Sequence, residues 1–375
     1  VDLFLRAARA QQHQIIASIR ELVECESPTG DARGLARFGK LFSRQLGGMA
    51  RVRGLPGGHL RCEFALPGSK KKGQILVLGH ADTVWPLGTL VTMPFKQARG
   101  RLWGPGVLDM KAGLVFFAFA MRLLRELNVA VGRKVILQIN ADEETGSESS
   151  RALTEAIARQ SAAVLVLEPG TGLEGKVKTA RKGVGDYRIT VRGQAAHAGL
   201  DFEKGANAVL EMARQVERVA GFTRLNRGVT VSPGVIRGGT RSNVVPAVCN
   251  VEIDVRAPRA ADARYLERQF AALEPFDKRC RIEVTGGLNR PPMERSAGAR
   301  KLFATARKLA VELGVELEDS ASGGGSDGNF TAALGVPTLD GLGAVGEGAH
   351  AQHESILIHR IADRTALLAK LVAAL

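Results

Sequence analysis

A chain of 375 residues is too long for one small core and indicates two domains, or one large α/β domain carrying an insertion. Hydrophobic residues make up 45% and aromatics 5%, which favours aliphatic α/β packing and excludes a stacking platform for single-stranded nucleic acid. The 52 lysines and arginines exceed the 38 aspartates and glutamates, for a net charge of +14. They are spread along the chain, and the densest run is Lys70, Lys71 and Lys72 in a loop, so the charge describes a basic solvated surface that draws in anionic substrates, not a nucleic-acid footprint.

Apolar residues recur at helical spacing over 3–23 until SPTG at 27–30 breaks the pattern, which predicts a lead-in helix. A second helix over 35–46 and a polar strand region precede ILVLGHADTVWP, whose unbroken apolar run at 75–78 suits a strand buried on both faces. GPGVLDMKAG then opens an apolar helix. Its stretch 114–127 is too short to cross a bilayer and is interrupted by Arg122. Residues 134–140 (KVILQIN) give a second buried strand, and after a helix over 149–157, residues 163–167 (AVLVL) give a third that ends at Glu168. Buried strands alternating with helices indicate an α/β fold with a largely parallel sheet. Ligands of such sheets bind beyond the carboxyl ends of the strands, where His80, Asp82, Glu143, Glu144 and Glu168 fall.

Past RKG at 181–183 the pattern becomes half-exposed alternation: DYRITVRG, a helix within 207–219, VTVSPGVI, VCNVEIDVRAP, a helix over 263–273, and RIEVTG. Period-two strands with one polar face predict an antiparallel sheet covered on one side by two helices. Helices over 299–313 and 361–375, separated by SGGGSDGNF and GVPTLDGLG, return to the α/β style. The expected organisation is a catalytic domain of residues 1–181 and 293–375, with 182–292 inserted. Cys25, Cys62, Cys249 and Cys280 are widely separated, without CxxC spacing, and are expected to be free thiols. A cytoplasmic protein is expected, or a periplasmic or secreted one if a signal peptide was trimmed ahead of Val1.

The stretch ILQINADEETGS ends a buried strand on Asp142, Glu143 and Glu144. Adjacent carboxylates raise one another's pKa unless cations offset them or one holds a proton. Taken alone, the triplet suits a solvated helix N-terminus. His80 and Asp82 likewise suit a turn, Asp109 a cap before Met110, Glu168 an exposed strand end, and His350 a loop histidine. Together they supply two imidazoles and three to five carboxylates at strand ends and in glycine-rich loops. A borderline divalent cation accepts that mixture, and two such ions about 3.5–4 Å apart can share one carboxylate. A nucleotide-binding α/β protein lacks its phosphate cradle here: no GxGxxG follows the first buried strand, and GxxxxGK[ST] is absent.

GHADTVWP, GPGVLDMKAG, NADEETGS, LEP, GQAAHAG, RSNVVP, GGGSDG and GAHAQHES, in this order, resemble the motif series of the aminoacylase and glutamate carboxypeptidase family of di-zinc metallopeptidases over nearly the whole chain. The resemblance implies a zinc-peptidase catalytic domain with an inserted ferredoxin-like α+β lid that forms a homodimer. It makes Asp109 the bridging carboxylate, with His80 and Glu168 completing one metal site and Glu144 and His350 the other, for two Zn2+ per subunit that Co2+ or Mn2+ can replace. Glu143 becomes the general base, Asp82 the carboxylate that orients His80, and the Asp109-Met110 peptide is expected to be cis. His350 or His353 could ligate, and the family's GAHxxxE pattern favours His350 with Glu354. His197 would reach the partner subunit's site and hold the oxyanion.

Arg290, Asn243 and the backbone around Gly324 match positions that receive a substrate α-carboxylate, and Lys176, eight residues past Glu168, matches a lysine of glutamate carboxypeptidases. The implied activity is release of a C-terminal amino acid, preferentially glutamate, from an N-acyl or peptidyl substrate, folate-like or simpler. The alternative within the same chemistry is removal of acetyl or succinyl groups from amino acids. Expected partners are such a carboxylate-bearing small molecule or peptide and a second copy of the chain, with no nucleic acid and no membrane.

Overall fold

The computed structural model describes residues 2–68 and 71–375, so Lys70 of the basic run lies outside the described residues. Two compact units emerge. The first runs to Ala180 and resumes over Arg295–Ser322 and Ser326–Leu375, and the second is Arg181–Glu294 with Gly323–Gly325. Gly323–Gly325 of SGGGSDG therefore group with the second unit, although in sequence they stand within 293–375.

The first unit is built on a six-stranded sheet in the order Ala50–Gly54, Leu60–Phe64, Lys134–Asn140, Gln74–His80, Ser161–Val166, Thr338–Leu339. The last four run parallel, and the Ala50–Gly54 and Leu60–Phe64 hairpin adds an antiparallel edge. Register sets the ends abreast: His80 lies opposite Asn140, and Leu78 opposite Val166. All three central strands therefore deliver their next residues to one rim. Ile75, Leu76, Val77 and Leu78 are fully buried, as are Val135 and Leu137, which is why these strands read as continuous apolar runs.

Helix Ala112–Glu126 is buried over most of its surface and packs against the C-terminal helix Ile361–Ala374. At the N-terminus, Leu3–Ala10 and Gln12–Glu24 stand where the periodicity predicts one helix. The chain turns at Gln11, whose side-chain amide donates to Glu126 at 2.6 Å.

The second unit is an antiparallel sheet in the order Thr230–Gly238, Val248–Ala257, Gly183–Arg192, Arg281–Arg290, with helices Ala208–Ala220 and Ala260–Ala271. This βαββαβ order is the ferredoxin-like arrangement. Gly183–Arg192 buries alternate residues, and Ile189, Val191, Val251, Ile253, Leu266 and Phe270 form the core, with Tyr187 stacked on Phe270 at 3.8 Å. The edge strand Thr230–Gly238 leaves Val235 and Ile236 exposed, and helix Ala208–Ala220 leaves Val209 and Leu210 exposed. The four cysteines are free, and among the described residues no helix is long and apolar enough to cross a membrane.

Gly113 opens the buried helix where the backbone meets the end of the third central strand: a Cβ there would strike the Leu167 carbonyl oxygen and crowd Gly343. Gly113→Ala is therefore expected to destabilise the first unit by about 1–3 kcal/mol through overpacking, measurable as a lower midpoint in urea unfolding. An unchanged midpoint would contradict the close approach.

Candidate active site

Three strand ends and two loops bring the titratable groups together. His80 is the last residue of Gln74–His80, and Glu168 follows Ser161–Val166 by two residues. Glu143 and Glu144 open a short turn after Lys134–Asn140, and Asp109 sits in the turn Val107–Lys111 ahead of the buried helix, with a cis Asp109-Met110 peptide. His350 arrives from the loop before Ser355–Leu357 with φ 61°, a left-handed conformation that costs a non-glycine residue about 1–3 kcal/mol and persists only where its surroundings enforce it.

Asp109 lies between two groups. Its Oδ1 is 3.1 Å from His80 Nε2, which is 3.4 Å from Glu168 Oε1, and its Oδ2 is 3.5 Å from His350 Nε2, which is 3.2 Å from Glu144 Oε2. His80, Asp109 and Glu168 form one triad of candidate ligand atoms, and Asp109, Glu144 and His350 the other, each with its atoms within 4.8 Å of one another. His353 is exposed and belongs to neither. Glu143 is half-buried, and its charge bears on His80.

The electrostatics follow from this crowding. Burial disfavours a charged His80, yet its bonds with Asp109, Asp82 and Glu168 hold it well above the usual histidine range. Hydrogen bonds with Asp109 and then Glu144 push His350 up to about 10. Burial raises Asp109, but the two imidazoles outweigh it and hold that carboxyl below its ordinary range. Burial pushes Glu144 up, and its Oε1 is enclosed with no hydrogen-bond partner. Oxygen and nitrogen donors converging around an orphaned carboxylate oxygen suit a divalent cation in each triad, bound by neutral imidazole and ionised carboxylate.

Asp82 faces both His80 and the acidic turn. The closest partner of His80 Nδ1 is the backbone oxygen of Asp82 at 3.0 Å, while its carboxylate stands 3.5 Å away. That carboxylate also accepts from the backbone N–H of Glu143 at 3.2 Å and of Glu144 at 3.1 Å, and from Thr29 Oγ1 at 2.8 Å. An acceptor fully enclosed among N–H donors is drawn to them, so Asp82 holds the acidic turn as well as facing the imidazole. Asp142 is likewise turned aside, accepting from the backbone N–H groups of Ser149 and Ser150 and from the Ser149 hydroxyl. Thr29, in the SPTG segment read only as a helix breaker, and Glu354, read only as motif spacing, are the supporting residues that residue type alone did not mark.

The Lys176 ammonium pairs with Glu318 at 2.5 Å on the surface of the first unit, with Glu174 and Glu316 nearby. In the second unit, strand Ala196–His197 pairs with Val244–Val245, and Ala198 N donates to Asn243 O at 3.0 Å, so exposed His197 and Asn243 are neighbours. His197 Nδ1 accepts from Gly199 N and Leu200 N, both at 3.1 Å, which leaves the proton on Nε2, available as a donor. Arg290 is buried at the end of its strand, and a Cβ at Gly325 would lie 2.6 Å from Arg290 Cδ, so the glycine segment carrying Gly324 packs on that side chain.

A mostly parallel sheet with two donor triads sharing one carboxylate at its carboxyl rim defines a metallohydrolase of the peptidase and amidohydrolase class. The chain belongs to peptidase family M20/M25/M40, whose profile matches residues 76–374. It is 29% identical over 381 aligned residues to carboxypeptidase G2 of Pseudomonas sp. (strain RS-16), covering 99% of this chain and 91% of that protein. It is 30% identical to a succinyl-diaminopimelate desuccinylase of Cereibacter sphaeroides (strain ATCC 17025 / ATH 2.4.3), over 78% of this chain and 81% of that one. Its fold is similar to that of aminopeptidase PepT from Bacillus cereus ATCC 10987, with a TM-score of 0.79 and 23% identity over 96% of this chain and 98% of that chain.

Because both imidazoles are raised, metal-free protein carries protons on them at neutral pH, and an incoming cation must displace these. Zn2+ binding at pH 7.5 is expected to release protons and to tighten as pH rises towards about 10. Calorimetric titration in buffers of different ionisation enthalpy measures this, and binding heats independent of buffer would contradict the arrangement.

Proposed function

We propose that the chain is a di-zinc exopeptidase or amidohydrolase that cleaves the amide bond of N-acyl or peptidyl amino acids and releases an amino acid with a free α-carboxylate. The observation that carries this is the pair of triads sharing Asp109, with Glu143 beside them. His80, Asp109 and Glu168 would hold one Zn2+, and Asp109, Glu144 and His350 the other. Bound there, the ions supply Lewis acidity, bringing the pKa of a water towards about 7 and polarising a carbonyl oxygen.

The chain's own residues do the rest. Glu143 accepts the proton of the attacking water at its carboxylate and returns it to the leaving amine. Asp82 keeps Glu143 in place through the backbone N–H it accepts. His197, with its proton on Nε2, is assigned to the developing oxyanion in the partner subunit's site. Arg290, Asn243 and the Gly324 backbone are assigned to the α-carboxylate, Arg290 because a guanidinium meets a carboxylate with two parallel bonds. Exposed Val235 and Ile236 on an edge strand, with Val209 and Leu210, support pairing of two copies through the second unit.

Resemblance over 99% of the chain to a protein named a carboxypeptidase supports release of a C-terminal residue, glutamate being the first candidate, and resemblance to a desuccinylase keeps N-acyl amino acids as the second reading.

A panel of N-acyl amino acids and dipeptides varied at the released residue, assayed with Zn2+, tests this reading. Hydrolysis is expected only when the released residue keeps its free carboxylate, and Glu143→Gln should lower kcat by at least about a hundredfold with both ions retained. Equal cleavage of the C-terminal amides would contradict carboxylate recognition, and loss of an ion from Glu143→Gln would exchange the roles of Glu143 and Glu144.

A further inference from the structure

Glu354 is the most completely enclosed carboxylate near the site, with none of its surface exposed. Its Oε1 accepts from Leu108 N at 2.8 Å and Asp109 N at 3.0 Å, and its Oε2 accepts from Gly106 N at 2.8 Å and Trp85 Nε1 at 2.9 Å. All four donors are N–H groups whose hydrogens cannot rotate away. Only a group that accepts on both atoms fits them, because the N–H2 of a glutamine would face two donors.

The partners come from separate places in the chain. Trp85 stands three residues beyond Asp82, the turn holding Gly106 and Leu108 carries Asp109, and Glu354 itself follows His350 by four residues. One side chain thus ties together the segments that bear His80, Asp109 and His350. None of its contacts is to a candidate ligand atom, so it acts through backbone and indole alone.

We infer that Glu354 is the positioning residue that sets Asp109 between the two triads, so that both metal sites depend on it together. This rests on the dimetal reading given above. A side chain supporting only its own loop would affect His350 and leave the triad of His80 and Glu168 untouched. A tie to the Asp109 backbone acts on the one ligand that the triads share.

The test is Zn2+ binding to metal-free wild type, Glu354→Gln, Trp85→Phe and His350→Ala, measured by competition with a chromophoric chelator. The visible spectrum of bound Co2+ and far-UV circular dichroism are recorded beside it. Wild type is expected to bind two ions and His350→Ala one. Glu354→Gln, with unchanged far-UV dichroism, should weaken both sites by at least about tenfold, as outer partners of metal ligands do, and shift the Co2+ bands. Trp85→Phe keeps the three backbone bonds and should weaken binding severalfold.

Weakening of one site alone in Glu354→Gln would overturn the inference, as would affinities and Co2+ spectra equal to wild type. If Glu354→Gln does not fold, Trp85→Phe decides, and unchanged affinity at both sites overturns the proposal. Wild type without a pair of ions would overturn the dimetal reading and this inference with it, whereas a wild-type pair with unchanged variants overturns this inference alone.

Discussion

Asp109, Glu144 and Glu168 converge on only two imidazoles, and mutual repulsion among those carboxylates is the constraint on which the rest of the site depends. At such separations like charges are tolerated only when cations stand between them. Without metal, protons take that place: the histidines are raised and Asp109 is depressed, while one oxygen of Glu144 keeps no partner. The first unit meets the constraint with geometry. Three parallel strands end abreast, and the loops bearing Asp109 and His350 approach the same rim.

Around that cluster lies a layer of carboxylates with a different task. Asp82 holds the turn of Glu143 and Glu144, Asp142 caps the helical turn that follows, and Glu354 holds the turn of Asp109. Asp82 and Glu354 accept from backbone N–H groups on both oxygens and Asp142 on one, so these charges hold backbone in place. Burial raises Glu354 while its four donors oppose that rise.

Much of this was legible in the sequence because parallel strands buried on both faces leave unbroken apolar runs, as at 75–78, and one-sided strands leave alternation, as in Gly183–Arg192. Ligand types at strand ends were legible for the same reason. The supporting contacts were not: Asp82 and Glu354 bind backbone N–H groups, which every residue carries, so no partner residue type marks them. The surface ion pair of Lys176 with Glu318, far along the chain, could not be read from its spacing to Glu168. The grouping of Gly323–Gly325 with the second unit was also hidden, since it arises from tertiary packing near Arg290 and not from periodicity. Gln11, inside an unbroken helical pattern, gave no sign of the turn it makes.

The central claim is that one carboxylate, Asp109, is shared by two cations. Anomalous diffraction at the zinc edge, from crystals grown with Zn2+, addresses it most directly. Two peaks are expected in each subunit, one bounded by His80, Asp109 and Glu168 and the other by Asp109, Glu144 and His350. A single peak, or a second peak ligated by His353 with His350 turned away, would contradict it.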